Sequence, residues 1–483
     1  MRRLAPFVLC APLFVAACTV GPDYHRPAIA GETGAWAAAA AAANTTGNTT
    51  GTGTGTGEAD LSPWAKLGDP VLNDLIARAL AANPGIAEAE GRLREARAQY
   101  GLTRANGMPQ ASITGSAQQT QTSLNGQFPA ASIPFYQRDF SLFDTGFDAS
   151  WEIDLWGGQR RAVESARAQI AAAQARAADI RLQTVAEVVR AYAQLRGGQA
   201  LLAAARDDAG AQGQTAQIVR QRLQAGEAAR FDESRAREQA RTAHAPIAGL
   251  EADVHAAAYM LALLTGRPPE AVADLVATPA PLPALPANVA VGMRADMLRR
   301  RPDVRAAEAD LAAATAGVGL ETASLYPRLS LGGSLDLQAR KVGDLASGNS
   351  LMFGLGPRLS WALFDSGKVR ARIHAADARS DQAAARYTRA VLAALADSET
   401  AINRYAAWTA TVAERDAALA ASRQSLDQAR QRYKAGEDDL LALLQAQSAH
   451  TGAERAAFQA RQAAFEAYAA LVKALGGGWQ EGA

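Results

Sequence analysis

The chain has 483 residues and a formal net charge of +1 at pH 7. That is long enough for more than one ordinary domain, and it lacks the basic excess expected of a nucleic-acid-binding protein. Alanine supplies much of the 49% hydrophobic content and aromatics only 6%, which favours close-packed helices over a bulky core.

Met1-Arg2-Arg3, an apolar run from Leu4 to Val15, and Val15-Ala16-Ala17-Cys18 read as a signal peptide over 1–17. Small residues directly before a cysteine resemble a bacterial lipobox, which implies cleavage before Cys18 and an N-acyl and S-diacylglycerol lipid on it. Thr19, rather than an aspartate, follows. Cys10 leaves with the signal, so no disulfide is expected. No mature segment is read as a transmembrane helix of about eighteen or more apolar residues. Membrane insertion, if any, must then come from strands.

The N-terminal segment spans 18–82 and contains a low-complexity tract at 37–57, polyalanine followed by Thr, Gly and Asn, expected to be a tether. Asn44 and Asn48 match glycosylation triplets, read here as chance in a biased tract.

An internal duplication organises the rest. Asn83-Pro84-Gly85-Ile86 matches Arg301-Pro302-Asp303-Val304, and Met108-Pro109-Gln110-Ala111-Ser112 matches Tyr326-Pro327-Arg328-Leu329-Ser330. Ser150-Trp151-Glu152 matches Ser360-Trp361-Ala362, and Arg222 to Glu227 matches Arg432 to Glu437. The order is kept, with an offset between about 209 and 218 residues. The first repeat is placed at 83–269, a linker at 270–300, the second repeat at 301–477 and a tail at 478–483. Each repeat reads as helix, strand, strand, long helix, glycine turn and a shorter helix. The long helices are expected near Gly157–Leu223 and Gly367–Tyr433, each about 100 Å at 1.5 Å per residue. Tyr405, Val412, Leu419, Leu426 and Tyr433 recur every seventh residue, as in coiled-coil packing. Gly197-Gly198 should weaken the first long helix locally.

The strand segments alternate an apolar face with a small or polar one. Leu351, Phe353, Leu355, Leu359, Trp361 and Leu363 share one face, Leu329, Leu331, Leu335 and Leu337 another. Phe147, Ala149, Trp151 and Ile153 form a third, and Ala111, Ile113 and Ala117 the weakest. This is the alternation of outer-membrane barrel strands, though a half-buried soluble sheet alternates identically. Pro357 predicts a bulge or an interface edge. Four strands cannot close a barrel, and a sheet edge in lipid leaves backbone groups unpaired, so the barrel must be shared between subunits. Two copies would give a filled interior; three could leave a passage, which small lumen-side residues favour.

At this point the chain resembles the TolC/OprM-type outer-membrane efflux proteins, in the NodT-type lipoprotein branch. Cys18 to Pro27 carries the likeness, with Trp64, Leu67-Gly68-Asp69-Pro70 and Leu72. So do Arg300 to Val304 with Glu308, and Pro357, Trp361, Phe364-Asp365 and Gly367. The resemblance implies a mainly α fold: a long coiled-coil-like helical tunnel, with four strands per chain given to a shared transmembrane barrel. It implies a homotrimer that works with a periplasmic adaptor (membrane fusion) protein and an inner-membrane RND-type pump. The duct would be lipid-anchored in the outer membrane, with a long periplasmic part, and would pass drugs and other small toxic compounds. The family is not enzymatic, and neither a cofactor nor a metal is expected.

His25, His244, His255, His374 and His450 are scattered, without ligand spacing. The helical turns at Gly226 and Gly436 are the candidates for adaptor docking. Tyr433 matches the family's tyrosine before the second turn. The family's gate aspartates, however, are replaced by Ala442 and Gln445. Acid stands instead at Glu437, Asp438 and Asp439, which either line a cation-selective entrance or simply cap the next helix. Two other readings compete with a drug-efflux duct: a type I protein-secretion duct, and a lipid-anchored periplasmic scaffold without a pore.

Overall fold

The computed structural model describes residues 19–29, 31, 34–37, 63–123, 135, 137–286, 289, 291 and 293–477. Cys18, the signal peptide, the tract from 38 to 62 and the tail 478–483 lie outside the described residues.

In chain order the elements are α1 (Pro70–Ala82), α2 (Pro84–Ala105), β1 (Gln110–Gln121), β2 (Asp139–Ile153), α3 (Gly158–Gln224), α4 (Arg230–His244), α5 (Ile247–Leu264) and α6 (Ala273–Ala277). Then come α7 (Arg294–Arg300), α8 (Pro302–Ala323), β3 (Arg328–Ala339), β4 (Leu351–Ser360), α9 (Lys368–Ala435) and α10 (Leu440–Ala474). The long helices α3 and α9 have 67 and 68 residues. The stretch 270–300 is not a bare linker, because it contains α6 and α7. The chain divides into two compact units, one of residues 1–27, 94–172 and 307–386, the other of 28–93, 173–306 and 387–483.

The first unit holds a four-stranded antiparallel sheet in the order β1-β2-β3-β4. Strands from the two repeats are thus joined at β2-β3. The register sets whole rows of one character. Ile113, Phe147, Leu335 and Phe353 lie side by side, as do Trp151, Leu331 and Pro357, and Ile153, Leu329 and Leu359. The intervening rows are Ser112, Asp148, Ser334 and Gly354, and Glu152, Ser330 and Arg358. Pro357 pairs in unbroken register with Leu331 on the sheet's edge strand. The pairing with β3 therefore runs through Pro357 without a bulge.

Both repeats turn the same corners with the same chemistry. The strand tryptophans each donate their indole N–H to the end of the preceding helical segment: Trp151 to the Gly107 carbonyl and Trp361 to the Leu325 carbonyl, both at 3.1 Å. Each long helix is entered through a left-handed glycine, Gly157 with φ 80° and Gly367 with φ 83°.

In the second unit the repeats match again. The residue before each helix-opening proline reaches the end of its repeat's last helix: the Asn83 amide donates to the Leu264 carbonyl at 2.8 Å, and Arg301 to the Ala474 carbonyl at 3.2 Å. Arg301 also binds Asp303 at 2.6 Å and Asp397 at 3.4 Å. Gly197 and Gly198 do not interrupt α3. A Cβ at Gly197 would lie 2.9 Å from Cδ of Gln462, and one at Gly198 3.2 Å from Val254, so the pair lets α10 and α5 approach closely. The sevenfold positions also hold: Tyr405 and Leu426 are buried, and Val412, Leu419 and Tyr433 half-buried.

Two differences from the sequence expectations stand out. The shorter helix of the first repeat is split into α4 and α5 at Ala245-Pro246, where proline removes a donor, whereas α10 is continuous. The segment Arg230–Leu264 is also long and apolar enough by composition to cross a membrane. Its alanines and leucines raise the mean although Glu251 and Asp253 interrupt it, and Glu251 is bound to Arg206 of α3 at 2.6 Å. Val254, Ala258 and Leu261 bury the face between them. Trp36 and Trp64, on either side of the low-complexity tract, are both buried. Trp36 lies under the Arg294 guanidinium at 5.3 Å, and Trp64 meets Tyr468 edge-on at 5.7 Å.

Candidate functional site

The sheet is the first part of the site. On its apolar face Ile113, Phe353 and Leu355 are 81%, 78% and 79% exposed. Rows of large exposed apolar side chains this continuous are not a water-facing surface. The opposite face carries Asp144, Asp148 and Asp336 with Ser, Thr and Gly. Gln338 donates to Asp144 at 3.2 Å and Thr114 to Asp148 at 3.4 Å across neighbouring strands. Among the described residues neither β1 nor β4 has a partner on its outer side. One face suits lipid, the other water, and both edges require another chain.

The helical turns are the second part. Gly226 (φ 80°) and Gly436 (φ 75°) each end a long helix in the left-handed conformation. Gly226 N–H donates to the Leu223 carbonyl at 3.1 Å and Glu227 N–H to Arg222 at 2.8 Å. Gly436 and Glu437 repeat this onto Tyr433 at 3.2 Å and Arg432 at 3.0 Å. This is the paired closure of a glycine C-cap. Both glycines are exposed, and a Cβ on either would meet nothing within 4 Å, so the left-handed backbone alone selects them.

Just inside the turns, Val219, Ala236, Leu440 and Leu444 form a small core, with Ala216 and Tyr433 packed against it. The Arg222 guanidinium stands 5.1 Å over the Tyr433 ring and donates to its hydroxyl at 3.3 Å. This ties the end of α9 to the end of α3.

The acidic turn divides its work. Asp439 caps α10, accepting from Ala442 N–H at 2.8 Å. Asp438 pairs with Arg432 at 2.9 Å, and Glu437 lies 3.8 Å from the same guanidinium. One carboxylate of the turn therefore caps the next helix and another is paired with an arginine, and Glu437 is the most loosely held of the three. Gln445 is exposed and Ala442 half-buried.

Sequence reasoning missed Arg161. Its side chain is only 5% exposed and is bound by Asp23 at 2.7 Å and Glu164 at 2.8 Å. Burial opposes its charge, but these carboxylates more than offset it and raise its pKa. Nothing local distinguishes Arg161 from Arg160; only its distant partner does.

The family model for outer membrane efflux proteins matches residues 75–267 and 294–477. The chain is 30% identical over 421 residues to the pyoverdine export outer membrane protein OpmQ of Pseudomonas aeruginosa, covering 86% of this chain and 87% of that protein. It is 28% identical over 416 residues to nodulation protein T of Rhizobium leguminosarum bv. trifolii, with 86% and 87% covered. Among solved structures, the outer-membrane channel OprN superposes with a TM-score of 0.85 at 34% identity, over 96% of this chain and all of that one. A lipid-facing sheet face, sheet edges that call for other chains, twin long helices closed by glycine turns, and these likenesses agree: the chain belongs to the outer membrane efflux protein family and is an outer-membrane efflux channel subunit.

Proposed function

We propose that three copies of this chain form a passive exit duct for small toxic compounds, drugs among them. The observation that carries this reading is the sheet. One chain supplies four strands with one apolar face and two unpaired edges among the described residues. Three copies pair β4 of each with β1 of the next. Twelve strands enclose a bore lined by the Asp144, Asp148 and Asp336 face, wide enough for small solutes. The helical turns at Gly226 and Gly436 dock a periplasmic adaptor protein, and an inner-membrane RND-type pump supplies the energy. The duct itself is neither an enzyme nor dependent on a cofactor. Cys18 carries the lipid that anchors each subunit in the outer membrane. The cargo is set by the pump; OpmQ's pyoverdine is an example of a small exported molecule.

At the turn end, the gate of this chain rests on Tyr433, Glu437, Asp438 and Asp439, since Ala442 and Gln445 supply no carboxylate. Protein extracted from outer membranes should run as a heat-modifiable trimer and conduct ions in planar bilayers. A monomer without conductance would overturn the duct. Asp438→Ala frees Arg432 and should lower cation preference in single-channel recordings. Asp439→Ala mainly loosens the start of α10. Unchanged preference and conductance in both variants would remove the acidic turn from the gate.

A further inference from the structure

The block Thr19–Pro27 lies as a strap along the first unit, and Arg161 makes the most side-chain hydrogen bonds to it. Val20 N–H donates to the Trp156 carbonyl at 3.2 Å, directly before the corner glycine Gly157. Thr19 packs on that glycine so closely that a Cβ at Gly157 would lie 2.9 Å from Thr19 Cα. One turn into α3, the Arg161 guanidinium uses all three nitrogens. Nε donates to the Val20 carbonyl at 3.3 Å, and Nη2 to the Gly21 carbonyl at 3.3 Å and to Asp23 at 2.7 Å. Nη1 donates to Glu164 at 2.8 Å.

Gly21 has φ 91° and rests on the backbone of Gly319, with its would-be Cβ 3.1 Å from Gly319 N. Gly319 in turn makes room for Arg161, whose side chain would lie 2.9 Å from a Cβ there. Farther along, the Tyr24 hydroxyl donates to Glu308 at 3.4 Å, and Arg26 lies 3.8 Å from the same carboxylate. From Gly319 to Glu308 the strap follows α8 for about 16 Å at 1.5 Å per residue.

We propose that Arg161 is a positioning residue for the membrane anchor: it fixes the strap beside the strand-to-helix corner from Thr19, the residue that follows the anchor in sequence, onward. The inference rests on the reading of Cys18 as the lipidated residue. A buried guanidinium left without its partners is an uncompensated charge, so the strap docks fully rather than loosely. The tether of the anchor is then held, from Thr19 on, at the level where β2 ends and α3 begins. The strap's glycine is explained in the same way, since a side chain at Gly21 would both strain the backbone and strike α8.

The test uses the full chain purified from outer membranes, as wild type, Arg161→Ala, Arg161→Lys and Gly21→Ala. Mass spectrometry of the N-terminal peptide reads the acyl groups, and hydrogen–deuterium exchange of the peptide containing Val20 reads the hold on the strap. Both Arg161→Ala and Gly21→Ala should keep the acyl mass and exchange at least tenfold faster than wild type, with Arg161→Lys between. If Arg161→Ala fails to accumulate, Arg161→Lys decides, because it keeps the charge but loses the fork that reaches the Val20 and Gly21 carbonyls. Unchanged exchange in the Arg161 variant that accumulates overturns the proposal, whatever Gly21→Ala shows. A wild-type peptide without acyl mass overturns the anchor reading, and the anchor-positioning role with it, while the exchange data still report whether Arg161 holds the strap.

Discussion

Asp69 does two things with two oxygens. Oδ1 accepts from Val71 and Leu72 N–H at 2.9 and 3.1 Å, capping α1, and Oδ2 accepts from the Tyr192 hydroxyl. Tyr192 is 1% exposed, and burial, reinforced by Asp69, pushes its pKa up to about 12. Asp69→Ala removes the cap and leaves a buried hydroxyl unpaired, so a loss of about 1–3 kcal/mol is expected in thermal or denaturant unfolding. Asp179 shows the opposite balance. Burial, with Asp303 nearby, raises its pKa against the help of Lys473, Gln183 and Arg301. A folded pKa above the unfolded one means the folded state holds the proton more tightly. Stability from this group is therefore full below the unfolded carboxylate range and declines as pH rises through the folded value. Asp179→Asn should raise the heat-dissociation midpoint at pH 7, and the gain should shrink towards pH 4. A lower midpoint at pH 7 would show that the charge is favourable in the assembled protein. At this scale the sequence was only partly legible. The cap motif at Asp69-Pro70 is local and visible. Gln183 and Glu164 are within one helical turn of Asp179 and Arg161, but Asp303, Arg301 and Lys473 around Asp179, and Asp23 on Arg161, are distant in sequence, so no spacing reveals them.

The elements were more legible, because period and punctuation are local signals. The long helices begin and end within two residues of their expected bounds, since Gly157, Gly226, Gly367 and Gly436 all need a left-handed backbone that other residues resist. What the periodicity concealed was why a glycine sits inside a helix. Gly197 admits Gln462 of α10, whereas Gly210, in the same helix, has nothing within 4 Å of a would-be Cβ. The same substitution should therefore differ in size along α3. Gly210→Ala should stabilise by about 0.5–1 kcal/mol through helix propensity. Gly197→Ala should gain less, because the Gln462 side chain must move aside. Thermal melts followed by far-ultraviolet circular dichroism compare the two directly. If Gly197→Ala stabilises as much as Gly210→Ala, close approach is not the reason for that glycine. Pro246 is the converse case. One shorter helix was expected across it, but its ring removes a backbone donor and the helix divides into α4 and α5 there.

For the whole molecule, the decisive question is what solvent faces the sheet, and adjacent residues on β4 can answer it. Phe353 points to the apolar face, in a row with Ile113, Phe147 and Leu335, and is 78% exposed. Met352 points to the other face, opposite Asp336. The alternation of strand residues was readable in the sequence, but their pairing was not. Only the register shows that the two repeats merge their apolar stripes into one surface, because β2 and β3 come from different repeats and lie far apart in the chain. If that surface meets lipid, Phe353→Arg places a guanidinium in hydrocarbon at a cost of about 2–4 kcal/mol per subunit near the midplane. Heat-resistant assembly in the outer membrane should then fall sharply. Met352→Arg faces the aqueous bore, so assembly should persist while conductance and cation preference drop. Were the sheet bathed in water on both sides, an arginine at an exposed Phe353 would be harmless and the two variants would assemble alike. Opposite outcomes from neighbouring positions therefore separate a shared barrel from a water-exposed sheet, and unboiled gels of outer-membrane fractions with planar-bilayer recordings read both.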